Sequence, residues 1–334
     1  MKHVAAAADV SVMTVSLALR RDPSIPEATR ERVLAEAERL GYRRNPLVSA
    51  LMAGLRGRHP RGRDAHVIAY VESYPATATP QQTGSLRRFR TGAAEAAVRH
   101  GYRLQVFRLN ESGLSETRLE QVLAARGIRG VVFAPFPKTG SELTLRWEHH
   151  AMATMGFSLA KPPLHRAVNH QVHSIRLAIA ELLKLGYRRI GLVMSRHEDA
   201  RVDHNWLSSV LLAQFEHAGS DRSFPLYFEE KIDRRAVRAW LRRERPDVVV
   251  STEEGVPAMI GSAGFAHMHL TPEKVGTTGI DQNNERVGAA AVDLVVEQLH
   301  ANAFGVPENP KTVLIEGRWV AGTTAGGPGA GGRG

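Results

Sequence analysis

Residues Val4 to Ser16 read Val-Ala-Ala-Ala-Ala-Asp-Val-Ser-Val-Met-Thr-Val-Ser. Small residues of this kind let two short helices cross closely, and a short turn sets the angle between them. Val4, Ala8, Val10, Val15 and Leu19 are expected to pack against Val33, Ala37 and Leu40. Val12, Met13, Thr14, Ser16 and Leu17 are then left outside. Outward positions at the start of such a second helix are those that reach base edges in a major groove. Hydroxyls such as Thr14 and Ser16 bond phosphates or bases, and Val12, Met13 and Leu17 suit thymine methyl groups. The plainer alternative is a helical hairpin with a few apolar residues on its surface.

Charge favours the first reading. The chain has 334 residues and a formal net charge of +10. Residues 1–63 hold twelve Lys and Arg against six Asp and Glu, a net +6; the other 271 residues supply the remaining +4. A basic terminal module on a milder body points to a polyanion partner. Arginine enrichment from a biased coding composition would look similar.

Other chemistries find no support. Cysteine is absent, which excludes disulfides, thiolate zinc sites and cysteine nucleophiles. There is no phosphate-binding G-x-x-x-x-G-K-[ST] loop, no G-x-S-x-G elbow and no H-E-x-x-H helix. His149-His150 and His267-Met-His269 lack a further ligand at useful spacing. No metal, cofactor or enzymatic activity is expected. No apolar run has the length of a membrane span, and the start is too polar for a signal peptide. No membrane association is expected, and a cytoplasmic location is.

The elements that must position these residues follow from pattern. Helices are expected over Lys2–Ala8, Val12–Leu19 and from Pro26 to Gly41, with a fourth over Asn45–Leu55. Asp9 and Ser11 mark the turn, Ser11 capping the helix that follows. Arg56–Arg63 is a linker by composition. Strands and helices then alternate. Strands are expected at Val67–Val71, Leu104–Phe107, Gly130–Phe133, Ile190–Met194, Val248–Val250 and Thr277–Ile280. Helices are expected at Leu86–His100, Glu116–Ala125, Ile175–Leu185, Trp206–His217, Arg234–Arg243 and Arg286–Leu299. Such alternation makes doubly wound parallel sheets, an α/β fold. About 260 residues exceed one such sheet, so two similar lobes are expected, with a ligand in the cleft between them. The basic face of Arg234–Arg245 is expected to be solvated rather than a second DNA site.

At this point the sequence resembles the lactose-repressor (LacI/GalR) family. The resemblance rests on Val4-Ala5, Val10-Ser11, Thr14-Val15-Ser16, Ile25-Pro26, Thr29-Arg30, Val33 and Leu40-Gly-Tyr-Arg-Arg-Asn-Pro46. Leu185–Leu192, Gly279-Ile-Asp281 and Gly317–Thr324 extend it along the chain. It implies a helix-turn-helix over residues 1–44, a hinge helix and linker over 45–63, a two-lobed periplasmic-binding-protein-like core over 64–325 that dimerises, and a disordered tail over 326–334. The DNA-contacting residues it implies are Ser11, Val12, Met13, Thr14, Ser16, Leu17, Arg20, Thr29, Tyr42, Asn45 and Leu51. Leu51 falls where the family wedges a leucine into the central minor groove; plain helix packing is the alternative.

For an effector, Arg201 falls where the family places an arginine that bonds sugar hydroxyls, and Asp281 lies at a strand end facing the cleft. A guanidinium fork opposite a two-oxygen acceptor suits a polyol; a surface arginine and a capping aspartate are the alternatives. Trp206 stacks on a sugar face or fills the core, and Ser73 and Tyr74 follow the first strand and rim the cleft. His170 stands where relatives often carry an acid, Asp9 where they carry a turn glycine, and the usual few residues ahead of the first helix are missing. The expectation is a transcriptional regulator, a repressor, that binds double-stranded operator DNA as a homodimer on the nucleoid. A small effector, a carbohydrate, controls it. The alternative is a cytoplasmic sugar-binding or sugar-processing protein with a helical extension. No export signal and no paired catalytic carboxylates support it.

Overall fold

The computed structural model describes residues 2–18, 25–40, 66–75, 80–109, 114–144, 146–253, 255–261, 263–269 and 275–327. The chain divides into two compact units, residues 1–59 and 60–334. The hinge expected over Asn45–Leu55, the linker after it, and Arg20, Tyr42, Asn45 and Leu51 lie outside the described residues.

Among the described residues the first unit holds three helices, α1 (Lys2–Ala7), α2 (Val12–Ala18) and α3 (Glu27–Arg39). Asp9 turns the chain with φ 49°, a left-handed conformation that Asp tolerates better than most residues. Ser11 caps α2: its Oγ accepts a hydrogen bond from the Thr14 N–H at 3.0 Å. Val4, Ala5, Ala8, Val15, Ala18, Val33 and Ala37 form the core. Four of these seven are alanines, which is why such short helices can approach closely. Leu40 is a correction to the expected core. It is 40% exposed, although its N–H still donates to the Glu36 carbonyl at 3.1 Å as part of the last helical turn.

The second unit is built on two six-stranded sheets. The N-terminal lobe uses β1 (Val67–Glu72), β2 (Arg103–Arg108), β3 (Gly130–Phe133), β5 (Ala151–Met155), β7 (His165–Asn169) and β13 (Thr312–Ile315). Their order is β13-β7-β5-β3-β1-β2, all parallel. The small pair β4 (Ser141–Glu142) and β6 (Leu159–Lys161) stands apart. The C-terminal lobe uses β8 (Ile190–Ser195), β9 (Leu226–Glu229), β10 (Val248–Ser251), β11 (Gly264–His267), β12 (Gly279–Asp281) and β14 (Arg318–Val320), in the order β14-β12-β11-β10-β8-β9. Among the described residues only β14 runs antiparallel, against β12.

Helices α4 (Pro80–Arg99) and α10 (Asn284–Ala301) cover one face of the first sheet, and α5 (Glu116–Arg126) the other. Helices α4 and α10 touch through their backbones. A Cβ on Gly92 would lie 1.8 Å from the Glu285 carbonyl oxygen, and one on Gly288 1.9 Å from that of Phe89. On the second sheet, α6 (Gln171–Lys184) and α8 (Asn205–Glu216) pack on one face and α9 (Arg234–Glu244) on the other. The short α7 (Arg196–Arg201) follows β8.

The chain crosses between lobes three times: from β7 to α6, from β12 to α10 and from β13 to β14. Hydrogen bonds lace these crossings together. Asn169 Nδ2 donates to the Gln282 carbonyl at 2.8 Å, the His170 N–H to that of Ile315 at 2.7 Å, and Asn283 Nδ2 to that of Glu316 at 2.7 Å. The expected tail starts late: Ala325 is buried, and the Gly327 N–H donates to Tyr187 Oη at 3.1 Å. Residues 328–334 lie outside the described residues.

Candidate functional site

In the first unit, Ser11, Val12 and Met13 stand exposed at the start of α2, with Met13 71% accessible. Thr14 is half-buried, its Oγ1 2.9 Å from Ser11 Oγ. Leu17, on the next turn of α2, and Thr29, on α3, are also half-buried. Ser16 belongs to α2, and its side chain lies outside the described set. Apolar side chains left in water at one helix start, beside the paired hydroxyls of Ser11 and Thr14, fit a surface that meets another molecule.

In the second unit, Arg201 is the side chain that joins the two lobes at the carboxyl ends of their strands. Ser195 Oγ caps α7 by accepting the Glu198 N–H at 3.2 Å. Arg201, at the other end of α7, then reaches across. Its Nη1 donates to the carbonyls of Phe136 at 3.0 Å and Pro137 at 2.9 Å, and its Nη2 to Tyr74 Oη at 2.8 Å. Burial pushes the Tyr74 phenol above its ordinary range, against the pull of the Arg201 charge.

Glu253 and Arg166, which the sequence reading missed, interact electrostatically with Glu198 of α7 and with Asp203 just after it, and Ser73 was an expected cleft residue. Glu253, after β10, is pushed up by burial and by the charge of Glu198. Arg166 of β7 lies 5.5 Å from the Phe157 ring centroid. Burial lowers Arg166, and the charge of Asp203 in the other lobe opposes that shift. Ser73 Oγ is buried and has no hydrogen-bond partner among the described residues. Ser73 and Glu253 follow strand ends, the signal that could have found them, whereas Arg166 lies within β7. Asp199 is a brace: fully buried, it accepts from the Leu207 N–H at 3.0 Å and His204 Nδ1 at 2.9 Å, fixing α7 against α8.

Two expected effector residues are placed otherwise. Trp206 is 1% exposed within the C-terminal lobe core, and its Nε1 donates to Gln171 Oε1 at 2.7 Å. A stacking platform needs an open ring face, so Trp206 fills the core, the alternative given for it. Asp281 is 8% exposed and its carboxylate is occupied. Arg88 of α4 donates to it at 2.8 Å, Arg318 of β14 at 2.9 Å and the Asn283 N–H at 3.0 Å. Burial alone would raise Asp281; these donors outweigh it and hold the carboxyl below the usual range. Asp281 ties the crossings together. His170 Nδ1 accepts the His173 N–H at 3.3 Å as the cap of α6.

The metal candidates are placed too: His150 is buried against the Arg146 carbonyl, and His267 Nδ1 accepts the His269 N–H at 3.0 Å. Among the described residues, no helix is long and apolar enough to cross a membrane.

Comparison with known proteins bears on both units. The family model described as "Bacterial regulatory proteins, lacI family" matches residues 1–45. An uncharacterized HTH-type transcriptional regulator in the aml 5' region of Streptomyces limosus is 27% identical over 203 residues. That match spans 58% of this chain and 52% of the relative, about half its length. The HTH-type transcriptional regulator YkvZ of Bacillus subtilis (strain 168), itself uncharacterized, is 22% identical and covers 92% of each chain. Among solved structures, the lac repressor dimer bound to operator and the anti-inducer ONPF has a TM-score of 0.54 at 17% identity, covering 96% of this chain and 97% of that one. A periplasmic binding protein/LacI transcriptional regulator from Alkaliphilus metalliredigens QYMF, complexed with D-xylulofuranose, has a TM-score of 0.54 at 10% identity, covering 78% and 99%. Residues 1–45 thus match the DNA-binding segment of the lacI family of bacterial regulatory proteins, and the rest of the chain shares the fold of the lac repressor core and of periplasmic-binding-protein-like regulators.

Proposed function

We propose that this regulator is a repressor whose grip on its operator is set by a small polyhydroxylated ligand held between the lobes of its core. The observation that carries the reading is Arg201, which donates three hydrogen bonds across the lobes, to Tyr74, Phe136 and Pro137. A guanidinium held in place this way is a preformed donor fork. A sugar that offers its own oxygens takes over those donors, with Glu198 and Glu253 as acceptors for its hydroxyl protons and Ser73 Oγ as a further partner. The sugar complex of the Alkaliphilus relative supports a carbohydrate as the ligand class.

Exchanging Arg201's partners changes what holds the lobes at their present spacing. A ligand with different affinity for two lobe arrangements shifts the balance between them, and DNA affinity follows if the chain between the units senses that balance. The start of α2, where Ser11, Val12 and Met13 stand exposed, is the base-reading surface, and Thr14, Ser16 and Leu17 of the same helix belong to it. Residues 45–63, Leu51 among them, are the coupling segment, and a homodimer presents two such units to a two-fold operator.

The test uses the full chain. A thermal-shift screen against sugars should find a stabilising ligand, and that ligand should change operator affinity. Arg201→Ala should bind operator like the parent and lose both responses. An unaltered response in that variant would place the ligand elsewhere. Leu51→Ala should weaken operator binding far more than non-operator binding, and equal losses would remove the wedge.

A further inference from the structure

One helix carries the positive charge of the entire core. Residues 64–334 have a net charge of +4. Within them, Arg234–Arg245 contain six arginines against one acid, Glu244, a net +5. The rest of the core is therefore at −1, and its basicity is a local property of α9.

The structure shows how this charge is displayed. Helix α9 buries Val237 and Trp240 against Val193, Tyr227, Val249 and Phe265. At 3.6 residues per turn, Arg234, Arg235, Arg238 and Arg242 fall within a sector of roughly 100°, and all four are exposed. Among the described residues none of the four makes an ion pair or side-chain hydrogen bond. The nearby acids have other partners. Asp233 Oδ1 caps the helix by accepting the Ala236 N–H at 2.7 Å, Glu244 pairs with Arg243 at 2.8 Å and Glu230 with Arg196 at 3.7 Å.

Local physics opposes this arrangement. Arg234 and Arg235 occupy the first turn, where the helix dipole disfavours cations. Arg234–Arg238 and Arg238–Arg242 are like charges four residues apart, a destabilising spacing. Choices that work against their own element tend to mark functional surfaces. We propose that the exposed face of α9 is a second, sequence-independent contact for the phosphate backbone of duplex DNA, separate from the N-terminal unit.

Geometry and context select this partner. Arg234 and Arg242 are about 12 Å apart along the helix axis at 1.5 Å per residue. Phosphates recur about every 3.4 Å along each strand of a duplex, so four guanidiniums match three or four phosphates. That sector holds no large apolar side chain to enter a bilayer, since Val237 and Trp240 are buried and Leu241 packs against the same cluster. The choice of DNA over an acidic polypeptide rests on the match between the arginine spacing and the regular phosphate repeat, in a chain whose residues 1–45 match a DNA-binding family.

The test measures binding of the full chain to a short duplex without operator, as a function of salt. Each neutralised phosphate adds about 0.9 to the slope of log K against log salt. The combined substitutions R234Q, R235Q, R238Q and R242Q should flatten that slope by about 2 to 4. The same four positions changed to lysine should keep it. Arg238→Glu, a single exposed change, should flatten it by about 1. An unchanged slope in the glutamine variant overturns the proposal. So does an equal loss in the lysine variant, or a loss of polyglutamate binding while the duplex slope stays constant. Operator preference reads out separately. A parent that fails to distinguish operator from non-operator duplex sinks the repressor reading and leaves the α9 result standing.

Discussion

Arg201 and Tyr74 belong to different lobes and are joined by a 2.8 Å hydrogen bond from the guanidinium to the phenol oxygen. With the Phe136 and Pro137 carbonyls, Tyr74 gives Arg201 three acceptors on the opposite lobe. Arg201→Ala removes all three contacts and leaves half-buried acceptors without their donor. Its expected cost is about 1–3 kcal/mol, read as a lower urea midpoint at unchanged slope. Arg201→Lys should fall between it and the parent, because a single ammonium cannot span all three acceptors.

Asp281 binds the crossings electrostatically, through Arg88 and Arg318. Burial would raise its carboxyl, but the Asn283 N–H and the two guanidiniums win and hold it low. A folded value below the unfolded one means stability that is present above about pH 3.9 and lost as pH falls through the folded value. Asp281→Asn should destabilise by about 3 kcal/mol at neutral pH, the scale for breaking a buried pair. The gap to the parent should narrow below about pH 4. Denaturant titrations at both pH values measure it, and a constant gap would exclude the ionic account.

Glu253 has the opposite sign. Burial and the neighbouring Glu198 push its carboxyl up. A folded value above the unfolded one gives stability that is complete below about pH 4.3 and lost as pH rises through the folded value. Glu253→Gln should therefore raise the Tm at neutral pH, by about 1–3 °C, and leave it unchanged near pH 4. Calorimetry at the two pH values distinguishes this from a general stabilisation.

Gly288 has the Phe89 carbonyl where a side chain would stand. Gly288→Ala must push α10 away from α4, and the clash is with backbone, which cannot rotate aside. The expected loss is about 3 kcal/mol or more, measured as lost soluble yield or a lower denaturation midpoint. Gly101→Ala meets no neighbour within 4 Å, so it reports the backbone cost of φ 76° alone.

Ser11 caps α2 through the Thr14 N–H. Ser11→Ala should cost about 1 kcal/mol of local stability, seen as faster amide exchange in α1–α3. Ser11→Asp should restore the cap while adding a charge repelled by phosphate. Rescue of exchange without rescue of DNA binding would separate its two roles.

The elements with strong periodicity were legible in the sequence. Leu119 and Leu123 in α5, Val67–Val71 in β1 and Val248–Val250 in β10 carry patterns that fit one structure. Others were not. Ala151–Met155 reads Ala-Met-Ala-Thr-Met, which lacks β-branched or aromatic bias, yet it is a fully buried central strand. Its neighbours, not its propensity, make it a strand. Leu226–Glu229, Gly264–His267 and Thr312–Ile315 are further strands outside the expected set, each four residues long and defined by its parallel partner. At the candidate site, Arg201 was legible as a residue type at a family position, but its acceptors were not, since two are backbone carbonyls 64 and 65 residues away.

The sequence by itself determined the module at the N-terminus, the charge it carries and the αβ alternation behind it, because these depend on composition and spacing along the chain. The fate of Trp206 and Asp281 was decided only by tertiary structure. Both sit at plausible cleft positions in the linear order. One is enclosed by a packed core and hydrogen-bonded to Gln171, and the other is held by arginines from positions 88 and 318. Whether a side chain faces a ligand or its own protein depends on which distant residues fold against it, and no local pattern records that.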